Sequence, residues 1–278
     1  MQETSALYKQ IYNSQNYYVE TSVAIGEAGR LITEKAEVIL FAGTAILIST
    51  SDADGGYGEN MLISVKTTKR TFSENKPSVG CCICGEVQVE MHMPIGEIKR
   101  MAQIMVFIRL VSNEDNSKSE WVRKGVFYLD TRDNSKNQDN LDILTIHGYD
   151  AMMRANKIYP SNNLQWAAKD WQVIEDIASH MQVSINPTVW EYIPKWTDSS
   201  AKKGYMIPLP VEYTMREVLG YIGQMYGGNW IINDVGDLTF IPLWALPKET
   251  SILTDHLGNR LLFGQDYEYP EEEVRILV

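Results

Sequence analysis

No apolar run in the chain is long enough to cross a bilayer. The most hydrophobic stretch, residues 38–48, covers 11 positions and contains Gly43 and Thr44, short of the roughly 18 apolar residues that a spanning helix needs. The first twenty residues, MQETSALYKQIYNSQNYYVE, lack both the basic start and the apolar centre of a secretory leader. Cysteine is scarce and crowded. Its three residues, Cys81, Cys82 and Cys84, are odd in number and too close together for a disulfide framework. These absences give the expectation of a soluble protein made in a cytoplasm, with its thiols reduced. Positive charge is also short: 25 basic against 36 acidic residues leave a formal net charge of −11. That balance argues against a protein that grips nucleic acid through its phosphates.

Signatures of chemistry are missing as well. The sequence holds no GxSxG, no GxGxxG and no phosphate-cradling GxxxxGK. GEAGR, starting at Gly26, is too short for a nucleotide loop and reads as a glycine turn. His92, His147, His180 and His256 are scattered, with no pair at helical spacing for a zinc site. Cys81, Cys82 and Cys84 with His92 lack the second ligand pair that zinc sites use, so they read as small buried thiols at a strand start. Asp52, Asp54 and Glu59 sketch a calcium loop, but the full loop needs alternate ligands and a bidentate Glu at its twelfth position. A solvated glycine turn is the better reading. His147 and Asp150 in HGYDAM invite an acid–base role, yet a strand end, a glycine bend and a helix cap explain them without substrate. The seven tryptophans are spread along the chain and suit cores and subunit contacts better than sugar sites. No catalytic, cofactor-binding or metal-binding residue is therefore nominated, and no cofactor is expected.

What is present is a β-rich pattern that turns helical and back. With 278 residues and 44% hydrophobic content the chain can bury one large core or two ordinary ones. Residues 1–20 show no clear period and read as an amino-terminal arm. Short β-like runs follow, SVAI, EVILFAGTAILIST and MLISVKTT, separated by turn-forming GEAGR and SDADGGYGEN. The clearest alternation is at residues 86–93, where Val87, Val89, Met91 and Met93 alternate with polar neighbours. Residues 101–111 are nearly continuously apolar, interrupted by Arg109, which suits a strand covered on both faces or one at an interface. GVFYLDT and residues 141–149 form a strand pair around the polar DNSKNQDN loop, and Asp150 then caps a short helix ended by Tyr159-Pro160. Beyond Pro160 the period becomes helical. Asp170 is a candidate cap for a stripe of Val173, Ile174, Ile177, Ala178 and Met181. Thr214 and Glu217 have capping-box spacing ahead of Val218, Leu219, Ile222, Met225 and Tyr226, and Gly227-Gly228 ends the helix. NWIIN and DLTFIPL around DVGD then read as a hairpin, with two or three further strands towards Val278.

GVFYLDT, HGYDAM, the preceding KPSVGCCICGEVQVEMHMP and the following TMREVLGYIGQMYGGNWIINDVGDLTFIPL occur in an order that resembles the amino-terminal region of phage tail hub proteins, whose fold is named after the T4 baseplate hub. The resemblance covers residues 76–243 or so, and it lies in order and spacing rather than in any one motif. It implies an α+β, mainly β class: a β-barrel-type hub domain, a small helical region and a second, partial β-barrel domain. The corresponding boundaries are 1–20 for the arm, 21–160 for the first barrel with its closing short helix, 161–228 for the helical connection and 229–278 for the second β domain. It also implies a homotrimeric ring that joins a sixfold tail tube to a threefold tip, around a channel for DNA and the tape-measure protein. The implied partners are the chain itself, a distal tail or tail tube protein, the tape-measure protein and other tail-tip or receptor-binding proteins, with no specific nucleic-acid binding. Many such proteins are longer and carry a peptidoglycan-cleaving or receptor-binding domain after the hub; with none before Val278, the expected role is structural and not enzymatic. A phage, a prophage, a bacteriocin or an injection particle fits equally. The alternatives are a cell-wall hydrolase and a carbohydrate-binding module that uses Trp190 and Trp196 as a stacking platform. Residues 38–48 and 101–111 are the candidate contact surfaces.

Overall fold

The computed structural model describes residues 4–26, 39–42, 45–48, 56–57, 61–72, 76–92, 98, 100–136, 142–160, 162–197, 204–243, 253–254 and 260–261. The chain divides into two units, Met1–Leu243 and Trp244–Val278. In chain order the first unit holds α1 (Ala6–Ser14), β1 (Tyr17–Gly26), β2 (Ile39–Ala42), β3 (Ala45–Ile48), β4 (Gly56–Tyr57), β5 (Leu62–Thr68), β6 (Glu86–His92), β7 (Gln103–Ser112), β8 (Val122–Lys136) and β9 (Asp142–Tyr149). A 3-10 helix (Ala151–Asn156) follows, then β10 (Ala168–Lys169), α2 (Asp170–Met181), α3 (Val189–Tyr192), β11 (Met206–Ile207), α4 (Met215–Met225), β12 (Gly228–Ile232) and β13 (Leu238–Pro242). In the second unit β14 (Leu253–Thr254) pairs with β15 (Arg260–Leu261). Among the described residues no helix is long and apolar enough to cross a membrane.

One antiparallel sheet in the order β4-β1-β7-β8-β9-β6-β5 curls into a nearly closed six-stranded barrel, with β4 covering only Val23 and Ala24 of β1. The alternation read in the sequence places Val87, Val89 and Met91 of β6 inside, where they meet Val23, Ile104, Val106, Phe127, Leu129, Leu144 and Ile146. Leu62 and Val65 of β5 pack on the same cluster as Val23 and Ile25 of β1, so the two end strands face one another around the core. Curvature comes from bulges. The β8 register shifts at Lys124 against β7 and at Asp130 against β9, and the β5 register shifts at Ile63 against β6. Gly148 lies within this wall rather than at a bend. A Cβ there would come within 2.8 Å of the Tyr128 carbonyl oxygen and close to Val87 and Ile104, so its smallness gives clearance to the core.

The residues expected to form an arm fold instead. Ser5 caps α1 by accepting a hydrogen bond from the Tyr8 amide, and its own amide and hydroxyl donate to Glu120. Tyr17–Glu20 already belong to β1, paired with β7 from Tyr17↔Ser112 onwards. The polar composition conceals this pairing because Glu20 is buried with cations: it accepts from Arg109 Nε at 2.5 Å and Lys118 Nζ at 2.9 Å. Arg109, the interruption in the apolar run, also stacks over Trp121 at 4.3 Å. The rest of β7 is covered on both faces, with Ile104 and Val106 inward and Met105 and Phe107 in a smaller cluster with Ala24 and Val126. A further difference concerns DNSK, which extends β8 as far as Lys136↔Asp142 instead of joining the loop. The calcium-like residues Asp52, Asp54 and Glu59, residues 27–38 and the side chains of 39–48 lie outside the described residues.

A second core joins the 3-10 helix, α2, α3, α4 and the β12–β13 hairpin. Val173, Ile174, Ile177, Ala178 and Met181 of α2 and Val218, Leu219 and Ile222 of α4 are buried together with Met152, Trp230, Leu238 and Phe240. The helical stripes are thus placed as their spacing predicts. The Thr214–Glu217 capping box is present, whereas α2 begins one residue early, with Lys169 at its cap and Asp170 as its first helical residue. Burial explains the displacement. The Asp170 carboxylate is fully buried and accepts from the Trp171 amide, Trp196 Nε1 and the Tyr205 amide, each at 2.8 Å, and from the Tyr226 hydroxyl. It ties three segments together rather than capping one.

Burial raises the Glu20 carboxyl, but hydrogen bonds and charge from Lys118 and Arg109 more than offset this, so its pKa lies below the ordinary 4.5. A depressed folded-state value gives stability that is present above the unfolded value and lost as pH falls through the folded one. The stability difference between the native protein and Glu20→Gln, measured by urea unfolding, should therefore be full at pH 7 and shrink as pH falls below 4.5.

Candidate functional site

The segment between β5 and β6 is where the barrel meets the helical layer. Gly85 and Asp150 bond reciprocally: the Asp150 amide donates to the Gly85 carbonyl at 2.9 Å, and the Gly85 amide donates to Asp150 Oδ2 at 2.7 Å. Asp150 Oδ1 accepts from the Met152 amide at 2.9 Å and lies 3.2 Å from Cys84 Sγ. Asp150 thus caps the 3-10 helix, as its position predicts, and also fixes the start of β6. Burial pushes its carboxyl above the ordinary value, against the opposing pull of these donors. His147 sits within β9 opposite Gln88 and Thr131, and neither ring nitrogen bonds Asp150. The acid–base pairing considered from HGYDAM is absent from the geometry.

Asn229 makes the matching clamp from the hairpin side. It is fully buried, accepts from the Cys81 amide at 2.8 Å, and donates to the Thr71 and Ser78 carbonyls at 3.0 and 2.9 Å. Beside it the Trp230 amide donates to the Cys81 carbonyl at 2.8 Å, and Cys82 bridges Trp230 in parallel. Lys69 reaches Asp234 in the hairpin turn at 2.6 Å. On the other side α4 crosses at backbone contact, since a Cβ on Gly220 would stand 2.9 Å from the Gly80 carbonyl oxygen. Sequence reading named none of Asn229, Lys69 or Asp234. An Asn inside an apolar NWIIN strand is the one local hint, because a buried amide requires partners.

Between the cysteine segment and α4 lies a groove of about 620 Å³, lined by Cys81, Cys82, Cys84, Arg216, Glu217 and Tyr221 among others. Glu217 is engaged by the Thr214 amide and hydroxyl. Arg216 donates to the Met152 carbonyl at 3.4 Å, while its buried Nε has no partner. None of the three cysteines is joined in a disulfide. Burial pushes the Cys82 thiol up to about 12 and raises Cys84 as well, with Arg216 pulling both down. Burial thus holds both thiols towards the protonated, less nucleophilic form. His92 lies at the opposite end of β6 from them, so the imagined Cys/His cluster is not assembled. Among the described residues no group of three His, Cys, Asp or Glu side chains could hold a metal ion.

The tryptophans considered as a sugar platform are also otherwise occupied. Trp196 is buried against Asp170 and beneath Lys169, whose Nζ lies 4.8 Å from the ring centre. Lys195 covers Trp190 at 4.4 Å. The geometry is that of a joint made of buried polar clamps.

No protein-family model matches the chain, and no curated protein sequence matches it either. Similar solved structures are tail proteins and a complex that contains VgrG. The 43 kDa tail protein of prophage MuSo2 from Shewanella oneidensis is 12% identical over 82% of this chain and 56% of its own, with a TM-score of 0.46. The tail protein from Neisseria meningitidis MC58 is 10% identical over 85% and 58%, with a TM-score of 0.44. A chain of the lidded Francisella PdpA-VgrG complex is 12% identical over 84% and 30%, with a TM-score of 0.42. The chain therefore spans little more than half the length of the two tail proteins.

Two outcomes test the joint. Asn229→Ala leaves the Cys81 amide and two carbonyls without their partner, and should lower unfolding free energy by about 2–4 kcal/mol in urea titration. In the native protein at pH 8, mass spectrometry should show Cys82 alkylated by iodoacetamide far more slowly than in the urea-unfolded chain, with the difference gone once Asn229→Ala loosens the segment.

Proposed function

We propose that this chain is a structural hub component of a phage or phage-like tail tip, made in the bacterial host and assembled as a homotrimeric ring between a sixfold tail tube and a threefold tip. The observation that carries the reading is the barrel of β1 and β5–β9 locked to a helical layer by Asp150 and Asn229. This order of barrel, helices and β-hairpin falls on the very stretches, GVFYLDT, HGYDAM and TMREVLGYIG, that resemble tail hub proteins. The divisions at 160 and 228 belong to the same proposal, with the hairpin β12–β13 as the start of the second β domain, whereas the boundary expected at 20 is crossed by β1.

The partners that follow are other copies of the chain, a distal tail or tube protein, the tape-measure protein and other tip proteins. The net charge of −11 suits a channel lining that repels phosphate, so that DNA passes without adhering. The engaged tryptophans favour this structural role over glycan binding. Light scattering of the purified chain across a concentration series tests the proposal. The expected result is a species of about three times the 31.6 kDa chain; a strict monomer that binds peptidoglycan or glycan would replace it with one of the two alternatives.

A further inference from the structure

Among the described residues the β5 edge of the barrel has no further strand beside it. Among the described residues β5 pairs with β6 alone and ends the sheet order, and none of its seven residues is buried. Facing it, β1 over Tyr17–Ser22 pairs with β7 alone among the described residues, since β4 pairs there with Val23 and Ala24. Between the two edges lies a groove of about 190 Å³ lined by Val19, Thr21, Leu62, Ile63, Ser64 and Val65. Val19 and Ile63 are each 46% exposed there. A long, exposed strand edge presents a row of unpaired amides and carbonyls, a template for one more strand.

The side chains state what that strand should carry. After the Ile63 bulge, Val65 faces the barrel core whereas Lys66, paired with Gln88, faces outward. Residues 62–70, LISVKTTKR, hold three cations, of which Lys69 is paired with Asp234, and no acid in a chain of net charge −11. Apolar residues on the inner face would fill the groove beside Val19 and Val65, and acidic residues on the outer face would meet Lys66. Lys66 also disfavours the same edge of a second copy, since two β5 strands brought together would oppose like charges.

We propose that β5 is a docking edge for an extended segment of another protein, alternating apolar and acidic residues, which adds as a further strand in the seam facing β1. The inference stands on β5 itself and does not depend on the tail-tip reading. Its test uses two dye-labelled eight-residue peptides, one alternating valine and glutamate and one alternating valine and lysine, titrated by fluorescence anisotropy. The valine–glutamate peptide should bind saturably, and Lys66→Glu should weaken it about tenfold while improving the valine–lysine peptide. Ile63→Asp, at an exposed position, should weaken the acidic peptide as well, and circular dichroism should show both variants folded. Equal binding of the two peptides, no binding, or indifference to Lys66→Glu would overturn the proposal. So would a self-associated species that Lys66→Glu disperses, since the occupant would then be a second copy.

Discussion

The reciprocal bonding of Gly85 and Asp150 is the constraint on which the rest of the structure depends. One carboxylate, buried at the end of β9, receives the amide that opens β6 and the amide that opens the 3-10 helix. It therefore decides where the barrel stops and in which direction the helical layer begins. Burying a charge in this place is costly, and the cost is tolerable because the acceptor oxygens are met by donors fixed in the backbone.

Asn229 and Asp170 repeat the principle at two other crossings. Asn229 satisfies three backbone groups in a segment that lacks a regular ladder, and Asp170 gathers α2, the Trp196 loop, Tyr205 just before β11 and Tyr226 at the end of α4. Losing one partner of such a buried group leaves the other unsatisfied, which is more damaging than the bond itself is stabilising. The apolar cores supply the bulk of the stability and these polar groups choose one arrangement of it.

Much of the fold was legible because it follows period. The alternation of residues 86–92, the stripes of α2 and α4, and the Thr214–Glu217 box all appear where their spacing puts them. Misreadings came where a polar residue serves tertiary structure. Glu20 made the start of β1 look like part of a terminal arm because its partners, Arg109 and Lys118, are distant in sequence. Asp170 looked like a cap because local sequence cannot show Trp196, Tyr205 and Tyr226 converging on it. DNSK looked like a loop because strands that project beyond a core need no apolar face. The joint was half visible: Asp150 announced itself as a cap, whereas Asn229 gave no periodic signal at all.

The structural reading of this chain rests on the barrel and the helical layer being one body rather than two tethered ones. Hydrogen exchange followed by mass spectrometry tests that most directly, comparing peptides from β6 and β9 with peptides from α2 and α4 in the native protein and in Asn229→Ala. Matched protection in the native protein, lost first from α4 and the hairpin in the variant, is the result this account requires. Helices that exchange well ahead of the barrel in the native protein would contradict it, for the clamps at Asp150 and Asn229 would then not couple the layers.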